Sequence, residues 1–390
     1  MMLEEMILDN VRNMPPSGIR KYFDLINEME DVISLGVGEP DFVTPWNVIE
    51  AGIYSLEKGH THYSSNAGFI ELRKEISKYL NRRFNLKYNP DDEILVTVGG
   101  SEGIDLALRA LVGPGDEVII PEPSFVAYKG CATFCGATPV TINLRQEDEF
   151  KLTAKLLEEA ITPKTKVVII PFPNNPTGAI MTKDELKEIV EVLKDRDIII
   201  LSDEIYAELS YDKDHYSIAN FEEVKDKTLV INGFSKAYAM TGWRLGYVCG
   251  HPILIDSLKK IHQYAIMCSP TTAQYAAIEA LKHGDNSVRE MAREYNRRRR
   301  ILVNGFREMG LECFEPLGAL YVFPCIKSTG LTSDEFCEKL LMEEKVLAVP
   351  GNAFGECGEG YIRACYASST EDLMEAVKRI KKFVKNHKAN

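Results

Sequence analysis

The stretch TLVINGFSKAYAMTGWRLGYVC, residues 228–249, sets the frame for the rest of the chain. Its first part, Thr228 to Phe234, is β-branched and apolar enough to read as a buried strand of a parallel sheet. Ser235 and Lys236 therefore emerge at a strand tip, the place where open α/β sheets put their chemistry. A lysine amine held there, partly desolvated and near other cations, has a lowered pKa and can form an imine with an aldehyde. Arg244 follows after the small residues Ala237 and Gly242, and a guanidinium fork suits a phosphate dianion. Alone, the same residues fit a surface Ser-Lys pair and an arginine in a local salt bridge equally well.

Working outward, 390 residues with 45% hydrophobic content allow two domains, each with a sizeable core. A net charge of −12 argues against nucleic acid or an anionic membrane as partner. The start, MMLEEMILDN, has no basic region, and no apolar run reaches the roughly 18 residues of a membrane span, so a cytoplasmic protein is expected. Nine cysteines without a C-x-x-C pair suggest neither a disulfide framework nor a zinc ribbon, and most read as small core residues.

Along the chain, Ile19, Phe23 and Ile26 recur at helical spacing in an N-terminal arm whose apolar face needs a partner. VISLGVGEPDF, 32–42, is a short strand entering a loop in which Gly36 and Gly38 allow close backbone approach. It lacks the third glycine of a dinucleotide fingerprint. In KGHTHYSSNAG, 58–68, the pair His60 and His62 has no further ligand at motif spacing, so an ordinary loop carrying Tyr63 is expected and no metal. Gly99, Gly100 and Ser101 open a helix with a buried stripe of Ile104, Ala107, Leu108 and Leu111; they make either an anion site or a plain N-cap.

Strand and helix then alternate, which implies a largely parallel sheet with covering helices. Phe125 follows the strand 117–120 and either stacks on a flat ring or plugs the core. Strand 166–170 ends in PFPNNPTG, where Asn175 offers an amide donor or simply turns the chain. Strand 197–201 places Asp203 just past its tip and Tyr206 one helical turn on. A carboxylate there needs a cation, unless it caps a turn or ligates a metal. RRRR, 297–300, reads as a solvated helix face. The composition then shifts to short strands between helices, a second α+β domain, in which Arg363 either clamps a carboxylate or makes a structural salt bridge.

Taken in order, LGVGEPDF, HYSSNAG, GGSEG, PSF, NNPTG, SDEIY, FSKAYAMTGWRLGY and YIRACYA resemble the class I, fold-type I pyridoxal-phosphate aminotransferases from about residue 30 to the end. The resemblance implies an α/β fold: a large domain on a mostly parallel sheet, 46–285, a small α+β domain, 286–390, and residues 1–45 forming the arm and part of the small domain. It implies that Lys236 carries pyridoxal 5′-phosphate and shuttles the substrate proton, that Asp203 holds the pyridine nitrogen protonated, and that Asn175 and Tyr206 hydrogen-bond the ring oxygen. Phe125 would lie on the ring face. Gly100, Ser101, Glu102 through its backbone N–H, Ser235 and Arg244 would hold the phosphate, and Tyr63 would reach the phosphate of a neighbouring subunit, so that a homodimer shares its sites. Arg363 and Gly38 would bind the substrate α-carboxylate, and Asn175 would also contact the substrate.

The activity so implied is ping-pong transfer of an amino group from an L-amino acid to a 2-oxo acid such as 2-oxoglutarate, with the small domain closing over substrate. Aspartate-using members of the nearby subgroup carry lysine where this chain has Ser101, which puts aspartate in doubt as donor. A C–S β-lyase on the same scaffold and a non-catalytic pyridoxal-phosphate-binding regulatory module are the alternatives.

Overall fold

The run Thr228–Gly233 is a strand buried along its whole length, because it lies inside a sheet covered on both faces. The computed structural model describes residues 3–15 and 29–387. After the short strand β1 (Ile33–Ser34), seven strands build that sheet: β2 (Ile94–Thr97), β3 (Glu117–Glu122), β4 (Thr138–Asn143), β5 (Thr165–Ile170), β6 (Ile199–Asp203), β7 (Thr228–Gly233) and β8 (Gly246–Cys249). Their spatial order is β2-β8-β7-β6-β5-β3-β4. Strand β8 runs against both its neighbours, and the remaining pairs are parallel. Strands β2, β3, β5, β6 and β7 therefore all end at one edge, so the turns that follow them meet there.

The two faces of β7 show why its sequence is apolar throughout. Val230 packs with Leu72, Ile76 and Ala277 of the helices Ile70–Phe84 and Thr271–His283. Leu229 and Ile231 face the other way, against Ile104, Leu108 and Leu258 of Gly99–Leu111 and Pro252–Ala265. Strand β4, at the edge, leaves more of its residues open to solvent.

The C-terminal part adds β9 (Tyr321–Val322), β10 (Val346–Leu347), β11 (Val349–Pro350) and β12 (Ile362–Cys365). Strand β12 sits between β11 and β9, antiparallel to both, while β1 pairs in parallel with β10. The helices Asp285–Glu308, Ser333–Glu344 and Thr370–Asn386 fill this core with Phe306, Phe336, Leu340, Ile380 and Phe383, and Leu35 joins them from the N-terminal side. Thr332 and Glu335 close a reciprocal cap that starts the second helix. Among the described residues no helix is long and apolar enough to cross a membrane.

Three expectations are corrected. The strand expected over 197–201 is β6, shifted by two residues, so Asp203 is its last residue rather than lying beyond it. The arginine run is not a solvated face: Arg297 and Arg300 are exposed, but Arg298 and Arg299 are buried. Arg298 grips both carboxylate oxygens of Asp41 at 2.8 Å, and Arg299 reaches Asp212, Glu315 and the Pro316 carbonyl. Their partners are distant in sequence, which is why a local reading of charge missed them. Of the nine free cysteines, Cys249, Cys313, Cys337 and Cys365 are buried and the other five only partly so. The apolar repeat Ile19, Phe23, Ile26 lies outside the described residues.

Candidate active site

A cavity of about 540 Å³ opens where the sheet's strand tips meet the C-terminal part. All residues to which the family resemblance gives a role line it except Glu102 and Tyr63. Strand β6 ends in Asp203, β7 leads through Phe234 to Ser235 and Lys236, β5 leads to Asn175, and β3 leads to Phe125. The helix that follows β2 starts at Gly99 and presents Gly100 and Ser101. Parallel strands thus explain how residues scattered from 100 to 244 share one wall.

Lys236 donates from Nζ to the carbonyl oxygen of Gly38 at 2.6 Å. Its amine has a pKa pulled down to about 8, chiefly by burial; Arg363 and Arg244 push the same way, against the Cys365 thiol and the Glu39 carboxylate. The neutral amine is therefore accessible near physiological pH. Asp203 is buried, which raises its carboxyl, while donation from the Tyr128 hydroxyl at 2.7 Å and the Ile205 N–H at 3.2 Å works against that rise. A cation placed opposite would complete its stabilisation.

At the other end of the cavity, the first turn of Gly99–Leu111 offers free backbone N–H groups. Gly99 has φ +78°, and a side chain on it would stand 2.8 Å from Arg244 Nη2, so the absent Cβ is what lets the guanidinium close over the turn. Arg244 donates to the Thr241 carbonyl at 3.0 Å and, among the described residues, pairs with no carboxylate. The salt bridge considered for it from the sequence is not formed.

Arg363 comes from β12, also without a carboxylate partner among the described residues. Its guanidinium lies over the rings of Tyr321, at 4.5 Å, and Phe354, at 4.7 Å. It donates to Asn175 Oδ1 at 3.0 Å and to the Gly36 carbonyl at 2.6 Å, and its Nε is buried with no partner. An interior guanidinium held by rings and neutral oxygens keeps its full charge available for an anion.

The profile of the Aminotransferase class I and II family matches residues 30–380. The chain belongs to that family. It is 54% identical over 376 residues to the putative aminotransferase YugH of Bacillus subtilis, covering 96% of this chain and 97% of that one. It is 44% identical over 383 residues to the aspartate aminotransferase of Pyrococcus abyssi, covering 97% and 98%. The crystal structure of the aromatic aminotransferase from Pyrococcus horikoshii matches with a TM-score of 0.89 at 43% identity, over 94% of this chain and 99% of that one. The protein is thus a transaminase of fold type I, a family whose members are in general pyridoxal-phosphate enzymes. Neither the lyase nor the regulatory alternative finds support among these relatives.

Two of the expected residues lie outside this cavity's lining. The Glu102 carboxylate is committed to His262 Nδ1 at 2.7 Å and to the Val98 N–H, which leaves only its backbone N–H for a ligand. Tyr63 is 79% exposed and does not line its own subunit's cavity. Two residues in the wall escaped the sequence reading. Tyr128, three positions after Phe125, had a weak local signal in that spacing. Tyr321 had none, since its hydroxyl meets that of Tyr206 at 2.8 Å across 115 positions. A side chain at Gly38 would stand 2.3 Å from the Tyr321 hydroxyl, so glycine is required there by close approach.

Proposed function

We propose that the cavity holds pyridoxal 5′-phosphate and that the enzyme transfers the amino group of an L-amino acid to a 2-oxo acid, with 2-oxoglutarate as acceptor. The observation that carries this reading is the Lys236 amine, its pKa lowered by burial to about 8, standing between an anion cradle and a guanidinium that pairs with no carboxylate among the described residues. The residues present fit the group: the Gly99 cradle under Arg244 suits a phosphate, Asp203 lacks the cation that a pyridine nitrogen would supply, and Phe125 offers a ring face. Gly100, Ser101, the Glu102 N–H, Ser235 and Arg244 would hold the phosphate, and Asn175 and Tyr206 the ring oxygen. When bound, the group supplies an electrophilic aldehyde carbon and a ring that withdraws electrons from the substrate Cα.

The chain's own residues do the rest. Lys236 would hold the group until the substrate amine takes its place, and its freed Nζ would be the base that takes the Cα proton. Asp203 keeps the ring nitrogen protonated. Arg363 takes the α-carboxylate with both N–H arms, and Gly38, facing it, fixes its orientation. Residues 286–390, with part of 1–45, form the small domain that closes on substrate and excludes water, against the large domain 46–285.

The site is completed by a second copy of the chain. The exposed apolar residues Trp46, Tyr54, Tyr63, Tyr264 and Met267 are the kind of surface a dimer buries, and the loop bearing Tyr63 is tied to their neighbourhood by Thr271 Oγ1 to His62 O and Asn66 Nδ2 to Met267 O. From there Tyr63 would reach the partner's phosphate. Aspartate, alanine, aromatic and diaminopimelate-type amino acids are the donor classes to test, with Ser101 weighing against aspartate.

The test is a half-reaction screen. Holoprotein mixed with single amino acids should lose its visible absorption band and gain the shorter-wavelength band of the aminated cofactor with at least one donor; no conversion with any L-amino acid would sink the proposal. A second expectation concerns Tyr321. Its hydroxyl meets that of Tyr206 at 2.8 Å and so helps to fix where the Tyr206 hydroxyl points. Tyr321→Phe keeps the ring over Arg363 and removes that contact. The pH midpoint of the visible band should then rise by about 0.5–1 unit, the equivalent of one net hydrogen bond. An unchanged midpoint would remove Tyr321 from this role.

A further inference from the structure

A second cavity, of about 860 Å³, shares Phe125 with the first. Phe354 lines the second cavity, and the guanidinium of Arg363, which lines the first, lies over its ring. The Ser124 N–H donates to the Phe354 carbonyl at 3.0 Å, which ties the two aromatic segments together. The N-terminal residues Asn10 and Asn13 form part of the opposite wall.

Glu122 stands in this wall, 7% exposed, and among the described residues its carboxylate accepts no hydrogen bond. Its nearest cation, Lys129 Nζ, is 3.9 Å away on a side chain more than half exposed. Burial raises the Glu122 carboxyl, opposed by Lys129 and reinforced by Glu356. A largely buried carboxylate whose one cation among the described residues stands 3.9 Å away is available to a ligand that brings its own donor. The backbone around it makes room for it: at Gly355, with φ +134°, a Cβ would stand 2.6 Å from Glu122 Oε2.

Two amides of the wall, those of Asn10 and Asn352, add acceptors beside it. Asn10 Nδ2 is spent on the Thr133 and Phe134 carbonyls, at 3.2 Å each, and Asn352 Nδ2 on Asp334 at 2.8 Å, so their amide oxygens are what is left to offer a ligand. The Glu122 carboxylate together with these amide oxygens is complementary to an N–H donor.

We propose that this second cavity is the subsite for the donor's side chain, and that Glu122 selects amino acids whose side chains end in a nitrogen donor, an ammonium or an amide N–H. The proposal rests on the first cavity being the reaction centre. Lys129 then swings to solvent as the ligand nitrogen takes its place.

The experiment is single-turnover conversion of the holoprotein by L-lysine, N6-acetyl-L-lysine, L-norleucine and L-2-aminoadipate, in wild type, Glu122→Gln and Glu122→Leu. In wild type, lysine or acetyl-lysine should outpace norleucine and aminoadipate at least tenfold in the ratio of rate to half-saturating concentration. Glu122→Gln should lower that ratio at least tenfold for an ammonium donor while sparing an amide donor, through half-saturation rather than maximal rate. Glu122→Leu should lower it for both. Norleucine should move less than twofold in either variant, which controls for misfolding. No preference over norleucine in wild type, or equal values in all three proteins, would overturn the subsite. Borohydride fixation of a pyridoxyl group on Lys236 reports the first cavity separately: its failure overturns both readings, its success with unchanged donor ratios overturns this one alone.

Discussion

Replacing Lys236 with alanine should stop multiple turnover while leaving the fold intact. The amine lies at the end of β7, where burial already works against its charge, so its removal relieves a desolvation cost and opens no gap in the apolar core. What is lost is covalent attachment and the base that moves the Cα proton; kcat should fall by at least ~10³–10⁴-fold. The variant should still take up the cofactor through Asp203, Arg244 and the first turn of Gly99–Leu111, since none of these depends on Lys236. Borohydride should fix a pyridoxyl group on the wild-type chain and none on the variant. Sustained turnover by Lys236→Ala would remove the basis of every other assignment.

Arg363→Ala should raise the amino-acid concentration needed for half-saturation by about 10²–10³-fold, the loss of two charge-assisted hydrogen bonds to a carboxylate. Arg363→Lys should recover little of this, because an ammonium cannot reproduce the planar fork stacked between Tyr321 and Phe354. A second consequence follows from charge. Arg363 is one of the cations that hold the Lys236 amine down at about 8, so its removal raises that pKa. A group with a raised pKa stays protonated to higher pH, and the alkaline shift of the rate profile should therefore accompany the loss of affinity. Concentration dependence of the half-reaction at several pH values separates the two effects; a variant with unaltered half-saturation would show that the guanidinium binds no carboxylate.

The parts of the site legible in the sequence are those that strand ends deliver. A buried run such as Thr228–Gly233 announces a parallel strand, and the residues after such strands must gather at one edge; Asp203, Asn175 and Lys236 could be placed for that reason. Their shared chemistry came from the order of motifs, not from any one of them. The illegible parts are contacts between the two ends of the chain. Tyr321 with Tyr206, Arg363 with Gly36, and Arg298 with Asp41 each span more than 80 positions, and nothing local to any of them signals the other. The arginine run shows the cost of local reading: four consecutive charges look uniform, yet successive residues on a helix face different directions, and two of the four turn inward.

The bond from Lys236 to the Gly38 carbonyl joins the tip of the main sheet to the loop that carries the substrate's expected anchor. A bond made to that nitrogen takes away a proton it can donate, so covalent capture of Lys236 by any electrophile weakens the link between the sheet and this loop.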